Sequence, residues 1–200
     1  MVGFIIQRWG HGYHLNNKCT MDFNKEVKNR LCPFLKSEGF NIIEEYNNTI
    51  KIESERVEIS VNHDNRENSN SFFIGLKGCI LYQINDDVLK HLFNSNLVFE
   101  LNSVDTFINS LDVFLKGDGY RLLSGDRNIH GLLEEYIQNL SDNYTQNLLI
   151  SQKINSANNA WNSSNYNDFL CFLNGVDENL LPTNIKQKIK IAKQKISINR

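Results

Sequence analysis

Residues 40–78 read FNIIEEYNNTIKIESERVEISVNHDNRENSNSFFIGLKG, and the period of that stretch decides the fold. Val57, Ile59 and Val61 alternate with Glu58, Ser60 and Asn62. Successive side chains on a strand point to opposite faces, so this run has one buried face and one wet face, the pattern of an antiparallel sheet. The segment divides into "FNIIEEY", "TIKIES", "ERVEISVNH" and "SFFIGLKG", with an Asn47-Asn48 turn and a polar loop "DNRENSN" between strands. Asn, Asp and Ser suit such bends because their short side chains bond the local backbone. The expectation is a four-stranded antiparallel meander.

Just upstream the period lengthens. "MDFNKEVKNRLCPFLKSEGF" sets Phe23, Val27, Leu31, Phe34 and Leu35 at helical spacing, with Lys and Glu on the other face. Asp22 is placed to cap this helix and Gly39 to end it, while Pro33 removes a backbone donor and predicts a kink or an early stop. A helix packed on the meander covers its apolar face. Residues 1–20 precede the first periodic segment and read as a flexible extension, with Met1 and Met21 both open as the start. They contain His11, His14 and Cys19, three ligand residues where a structural zinc site takes four and nothing nearby supplies another, so no metal is expected there.

From Asn85 the spacing is helical throughout. "NDDVLKHLFNS" has Asn85 as cap and acids in its first turn. "SVDTFINSLDVFLKGDG" has Ser103 as cap, Val104, Phe107, Ile108, Leu111 and Leu115 turned inward, and Gly117 as stop. The next stretch places Ile129, Leu133, Tyr136, Leu140, Tyr144 and Leu148 on one stripe, as one long helix or two collinear ones. The expected fold is α+β, an α+β domain over 21–100 followed by an all-helical region over 101–200.

Within that region, "ANNAWNSSNYNDFLCFLNGVDENLLP" puts Ala157, Ala160 and Trp161 before a polar turn. Tyr166, Phe169 and Leu173 follow the turn, and Pro182 closes the unit. This resembles a single tetratricopeptide-type helical hairpin, which implies a helical packing unit with a protein-binding groove. Phe169 is bulky where that family prefers a small residue, and no second copy of the repeat is present. Ile185, Ile189, Ala192 and Ile196 then line one face of a capping helix.

Composition bounds the rest. With 40% apolar and 22% charged residues, the chain is globular in type. Its many Asn residues are dispersed among periodic apolar ones, which reads as codon bias and not as a prion-like tract. No apolar run approaches the ~20 residues that span a bilayer, and "VGFII" is too short for a signal h-region, so a cytoplasmic protein is expected. Cys19, Cys32, Cys79 and Cys171 show no C-x-x-C spacing and read as free thiols, with Cys32 and Cys171 inside apolar patterns and expected in the core. The net charge of −2 conceals an asymmetry: six of the 21 bases fall in residues 183–200, and the other 15 face 23 acids, a net of −8.

Three sets of residues are candidates for function. The wet sheet face offers Glu44, Lys51, Glu53, Glu58 and Asn62 to a partner, together with Asp64, Arg66 and Glu67 beside it. At the end of the third strand, "NHDNREN" gathers His63, Asp64, Arg66 and Glu67, a general-base and anion-holding set if the side chains converge and a solvated hairpin loop if they diverge. The terminal helix carries Lys186, Lys188, Lys190, Lys193 and Lys195, which suit a solvated face, an acidic partner, or nucleic-acid phosphates. No P-loop, G-x-S-x-G, H-E-x-x-H or dinucleotide glycine motif occurs, and "GDGYRLLSGD" lacks a Gly-Lys-Ser/Thr ending, so no cofactor is expected.

The order of elements, a helix ending in Gly-Phe, a polar-faced meander and then helices, is similar to small cytosolic immunity-type proteins of bacterial toxin–immunity systems. That resemblance implies a non-enzymatic protein-binding module that neutralises a toxin. A nucleic-acid-binding regulator using the basic helix, and a hydrolase built around His63, are the alternatives.

Overall fold

Alternation in residues 40–78 does produce antiparallel strands. The computed structural model describes residues 22–99 and 103–198. In chain order its first elements are α1 (Phe23–Arg30), α2 (Cys32–Ser37), β1 (Asn41–Tyr46), β2 (Thr49–Glu53), β3 (Val57–Asp64), β4 (Ser69–Leu76) and β5 (Tyr82–Gln83). The sheet runs β1-β2-β3-β4-β5, each neighbour antiparallel. It therefore has five strands, not the expected four. The fifth is too short to show a period; the Ile84 N–H donates to the Phe72 carbonyl at 2.9 Å and holds it in place. Gly75 makes this return possible, because a Cβ there would sit 2.4 Å from the Ile80 carbonyl oxygen.

Register sets the core. Ile50 pairs with Val61 and Ile52 with Ile59; on the next strand Val61 faces Phe72 and Ile59 faces Ile74. These six side chains are at most 1% exposed. Phe23, Val27, Leu31 and Leu35 are equally buried, and α1 packs on β2. The interruption expected from Pro33 falls at Leu31, with Pro33 in the first turn of α2, where a missing N–H costs little. Leu31 N–H still donates to Val27 and Leu35 N–H to Leu31, so the helical path continues across the break. β1 departs from the expected two-faced pattern: all six residues are exposed, and a bulge separates Ile42 from Glu44. The helices reach this strand only at its margin, through Lys28 to Glu45 at 2.8 Å, and leave Ile42 and Ile43 41 and 48% exposed. The bulge and Glu44–Glu45 also discourage pairing with another chain.

Three more helices belong to this part of the chain: α3 (Asp86–Phe93), α4 (Val104–Lys116) and α5 (Tyr120–Leu123). Asn85 and Ser103 cap α3 and α4 as expected, accepting from the N–H groups of Val88 and Thr106. Phe107, Ile108, Leu111, Phe114 and Leu115 are buried along α4, and Phe99 meets Phe107 and Phe114 edge-on at 5.6 and 5.8 Å. α4 packs on α1. The described residues divide into two compact units with the boundary between Arg127 and Asn128, later than the 100/101 position suggested by the change of period.

The second unit contains α6 (Arg127–Asn162), α7 (Tyr166–Leu173), a 3-10 turn (Glu178–Leu180) and α8 (Thr183–Ile198). Among the described residues the fold is thus α+β, a five-stranded sheet with eight α-helices. No described helix is long and apolar enough to cross a membrane. α6 is one continuous helix of 36 residues. The core of the unit is Ala157, Phe169, Leu173, Leu181, Ile185 and Ala192, with Trp161 and Tyr166 packed at its edge. Ser164, at φ 54°, reverses the chain between α6 and α7, and the Asn165 side chain accepts from Asp168 N–H to start α7. The stripe expected to turn inward along α6 is open in its middle: Leu140, Tyr144 and Leu148 are 43, 71 and 46% exposed. Periodicity shows which residues share a face; it does not show that anything covers it.

Candidate functional site

On the wet sheet face the expected residues are brought together, and they satisfy one another. Lys51 Nζ lies 2.6 Å from Glu44; that hydrogen bond, and then the carboxylate's charge, raises the lysine's pKa above its ordinary value. Glu53 pairs in register with Glu58, a like-charge contact that destabilises a sheet. Lys77 relieves it by holding Glu53 at 2.9 Å. Ser60 Oγ donates to Asn62 Oδ1 at 3.1 Å, fixing that amide. Lys77 was absent from the sequence candidates because it lies beyond the end of β4, where alternation no longer places a residue on a face.

The loop cluster is brought together only in part. His63 belongs to the core-facing row of β3; its ring stacks on Phe23 at 5.6 Å, and Nδ1 is 3.0 Å from Asn70 Oδ1. Asp64 accepts from the backbone N–H groups of Arg66 at 2.7 Å and Glu67 at 3.3 Å. These two bonds hold its carboxyl below the usual carboxylate range. Asp64 is thereby committed to shaping the turn, and the Arg66 and Glu67 side chains are exposed. A shallow cleft of 540 Å³ at this end of the sheet is lined by His63, Asp64 and Arg66 together with Tyr46, Asn62 and Phe73; Glu67 is not part of that lining.

On α8 the lysines divide. Lys188 Nζ donates to Asn158 Oδ1 at 2.8 Å and sits 5.3 Å from the Trp161 ring centre, tying α8 to α6. Lys190, Lys193 and Lys195 are exposed, with no ion pair among the described residues, and Lys186 is half-buried.

A different feature stands out for its chemistry. Between α6 and the α7–3-10 connection lies a groove of 490 Å³, lined by Leu149, Ile150, Phe172, Val176 and Leu180. Gln146, Lys153 and Asp177 stand among them. Leu149, Phe172 and Leu180 are 53, 43 and 54% exposed, an apolar concavity open to water. Lys153 Nζ donates to the Asn174 carbonyl at 3.3 Å, and Asp177 accepts from Asn179 N–H at 2.9 Å. Gly175, at φ +73°, turns the chain out of α7 along the wall of the groove. Sequence reasoning anticipated a groove in this half but named none of its residues, because their helical spacing made them look like core.

The cysteines among the described residues are free thiols. Cys171, expected in the core, is exposed, because α7 turns Phe169 and Leu173 inward and Cys171 lies between them. Cys32 is half-buried, and burial pushes its thiol pKa up. No group of three or more His, Cys, Asp or Glu among the described residues could hold a metal ion; His11, His14 and Cys19 lie outside those residues. No protein-family model matches this chain, and no curated protein or solved structure is significantly similar to it.

Proposed function

We propose that the chain is a non-enzymatic protein-binding module and that the groove of its helical unit is the contact surface. One observation carries this reading: Leu149, Phe172 and Leu180 line a concave site while remaining about half exposed. Large apolar side chains gathered in an open groove mark a place where another molecule excludes water. The sheet face supports a weaker version, since Glu44 is already matched to Lys51 and Glu53 to Lys77. Charges satisfied within the fold have less to offer a partner.

A tetratricopeptide-type origin for the α6–α7 hairpin fits this role. Trp161 meets Tyr166 and Phe169 edge-on at 5.4 and 5.2 Å across the turn, although α7 has only eight residues. An immunity-type role is the form of this reading in which the bound protein is a toxin. His63 is engaged by Asn70 and Asp64 by two backbone N–H groups, which favours binding over hydrolysis.

The test is affinity purification of the tagged chain from native lysate beside its Leu149→Arg variant. Leu149 is exposed, so the substitution costs the fold little. A stoichiometric partner held by the wild type and lost by the variant supports the groove. Recovery of no such partner, or equal recovery by both, refutes it.

A further inference from the structure

The groove's surroundings specify the chemistry of what it holds. On α6, residues seven apart fall nearly on one face, because two helical turns take about 7.2 residues. Counting back from Leu149 on that face gives Asp142 and then Glu135. Both are exposed, and Asp142 is held by the Gln138 amide at 3.0 Å. Across the groove, Asp177 lines the opposite wall, and Glu178 follows it in the 3-10 turn. Within the groove's own lining the charged residues are Asp177 and Lys153, and the Lys153 ammonium already donates to the Asn174 carbonyl; the lysines of α8 are not part of that lining. The groove is largely apolar in its lining, with Asp142 and Glu135 on the α6 face that leads to it and Glu178 next to Asp177.

We infer that its occupant is an amphipathic helix of a partner protein, with an apolar stripe and lysine or arginine on the flanks. This rests on the groove being the contact surface. The apolar stripe supplies the burial: three or four side chains at i, i+3/i+4 and i+7 match a straight groove that follows α6 for about 15 Å, from Gln146 to Ser156. The basic flanks supply orientation and selectivity, because Asp142 and Glu135 extend the same face for about 16 Å beyond Gln146. An acidic helix of the same apolar pattern would meet Asp142, Asp177 and Glu178 as like charges and is rejected.

The test uses three synthetic helical peptides of about four turns, identical in their leucine stripe and carrying lysine, glutamine or glutamate on the flanks. Binding to the full chain is followed by fluorescence anisotropy. The lysine peptide binds most tightly and the glutamate peptide most weakly. That order is compressed when salt is raised from about 50 mM to about 500 mM, since exposed charges are screened. In the variant Asp142→Asn/Glu178→Gln the lysine peptide loses about threefold to tenfold in affinity and the glutamine peptide loses nothing. If the peptides bind equally, and Leu149→Arg abolishes all binding, the groove reading stands and the basic-helix inference is overturned. If none binds and Leu149→Arg has no effect in the lysate experiment, both fall. Dimerisation of the chain that is lost in Leu149→Arg overturns the inference in favour of a second copy.

Discussion

Replacing Phe169 by alanine is the sharpest test of the helical unit. Phe169 is fully buried, and its ring packs edge-on against Trp161 at 5.2 Å. It is the one large aromatic among six buried core residues, the others being Ala, Leu and Ile. Removal of a buried Phe side chain loses its transfer free energy and leaves a cavity, together about 3–5 kcal/mol. A unit of about 70 residues has a typical stability of about 4–10 kcal/mol, so the loss is a large fraction of what holds it together. Native-state hydrogen exchange reads this locally. The most protected amides of α7 and α8 should lose about two to three and a half orders of magnitude of protection, at about 1.4 kcal/mol per factor of ten. A loss below about tenfold would mean that the unit collapses around the missing ring, and that Phe169 does not anchor it.

Lys77→Ala should expose the Glu53–Glu58 register pair and cost up to about 1 kcal/mol, as both partners are solvent-accessible. Adding Glu58→Gln should recover most of the loss in a urea titration, and failure to do so would show that Lys77 acts through its stem. Asp64→Ala should destabilise the protein at neutral pH. The folded carboxyl titrates below its unfolded value of about 3.9, so its contribution is present above that pH and is lost as pH falls through the folded pKa. Wild type and variant should therefore converge in acid-titrated denaturation, and a gap that persists under strong acid contradicts the turn-capping role. In a Cys19→Ser background at about pH 8, Cys79 and Cys171 should react with a thiol reagent faster than Cys32, whose pKa is raised by burial. Equal rates would contradict that burial.

The sheet was legible in the sequence because a period of two has few alternative readings, and the caps at Asp22, Asn85 and Ser103 declared three helix starts. β5 was not legible, since two residues carry no period and its position depends on the closeness of Gly75 to Ile80. The exposure of β1 was hidden because Ile42 and Ile43 look like core residues, and only the placement of the helices shows how little they cover that strand. The groove was missed for a related reason. Leu149, Phe172 and Leu180 have the composition of an interior, and only the packing of Ala157, Phe169 and Ile185 behind them shows that the core closes without them. In the candidate site, the polar clusters conspicuous in the sequence are spent on turns and internal ion pairs. The chemically open surface is built from residues that look ordinary one by one.

Photo-cross-linking compares the two candidate surfaces directly. A benzophenone amino acid placed at Phe172 in the groove, or at Tyr46 beside the sheet face, is irradiated in native lysate. One discrete cross-linked product is expected from position 172 and none from position 46. A product from position 46 alone would move the contact surface to the sheet and contradict the account.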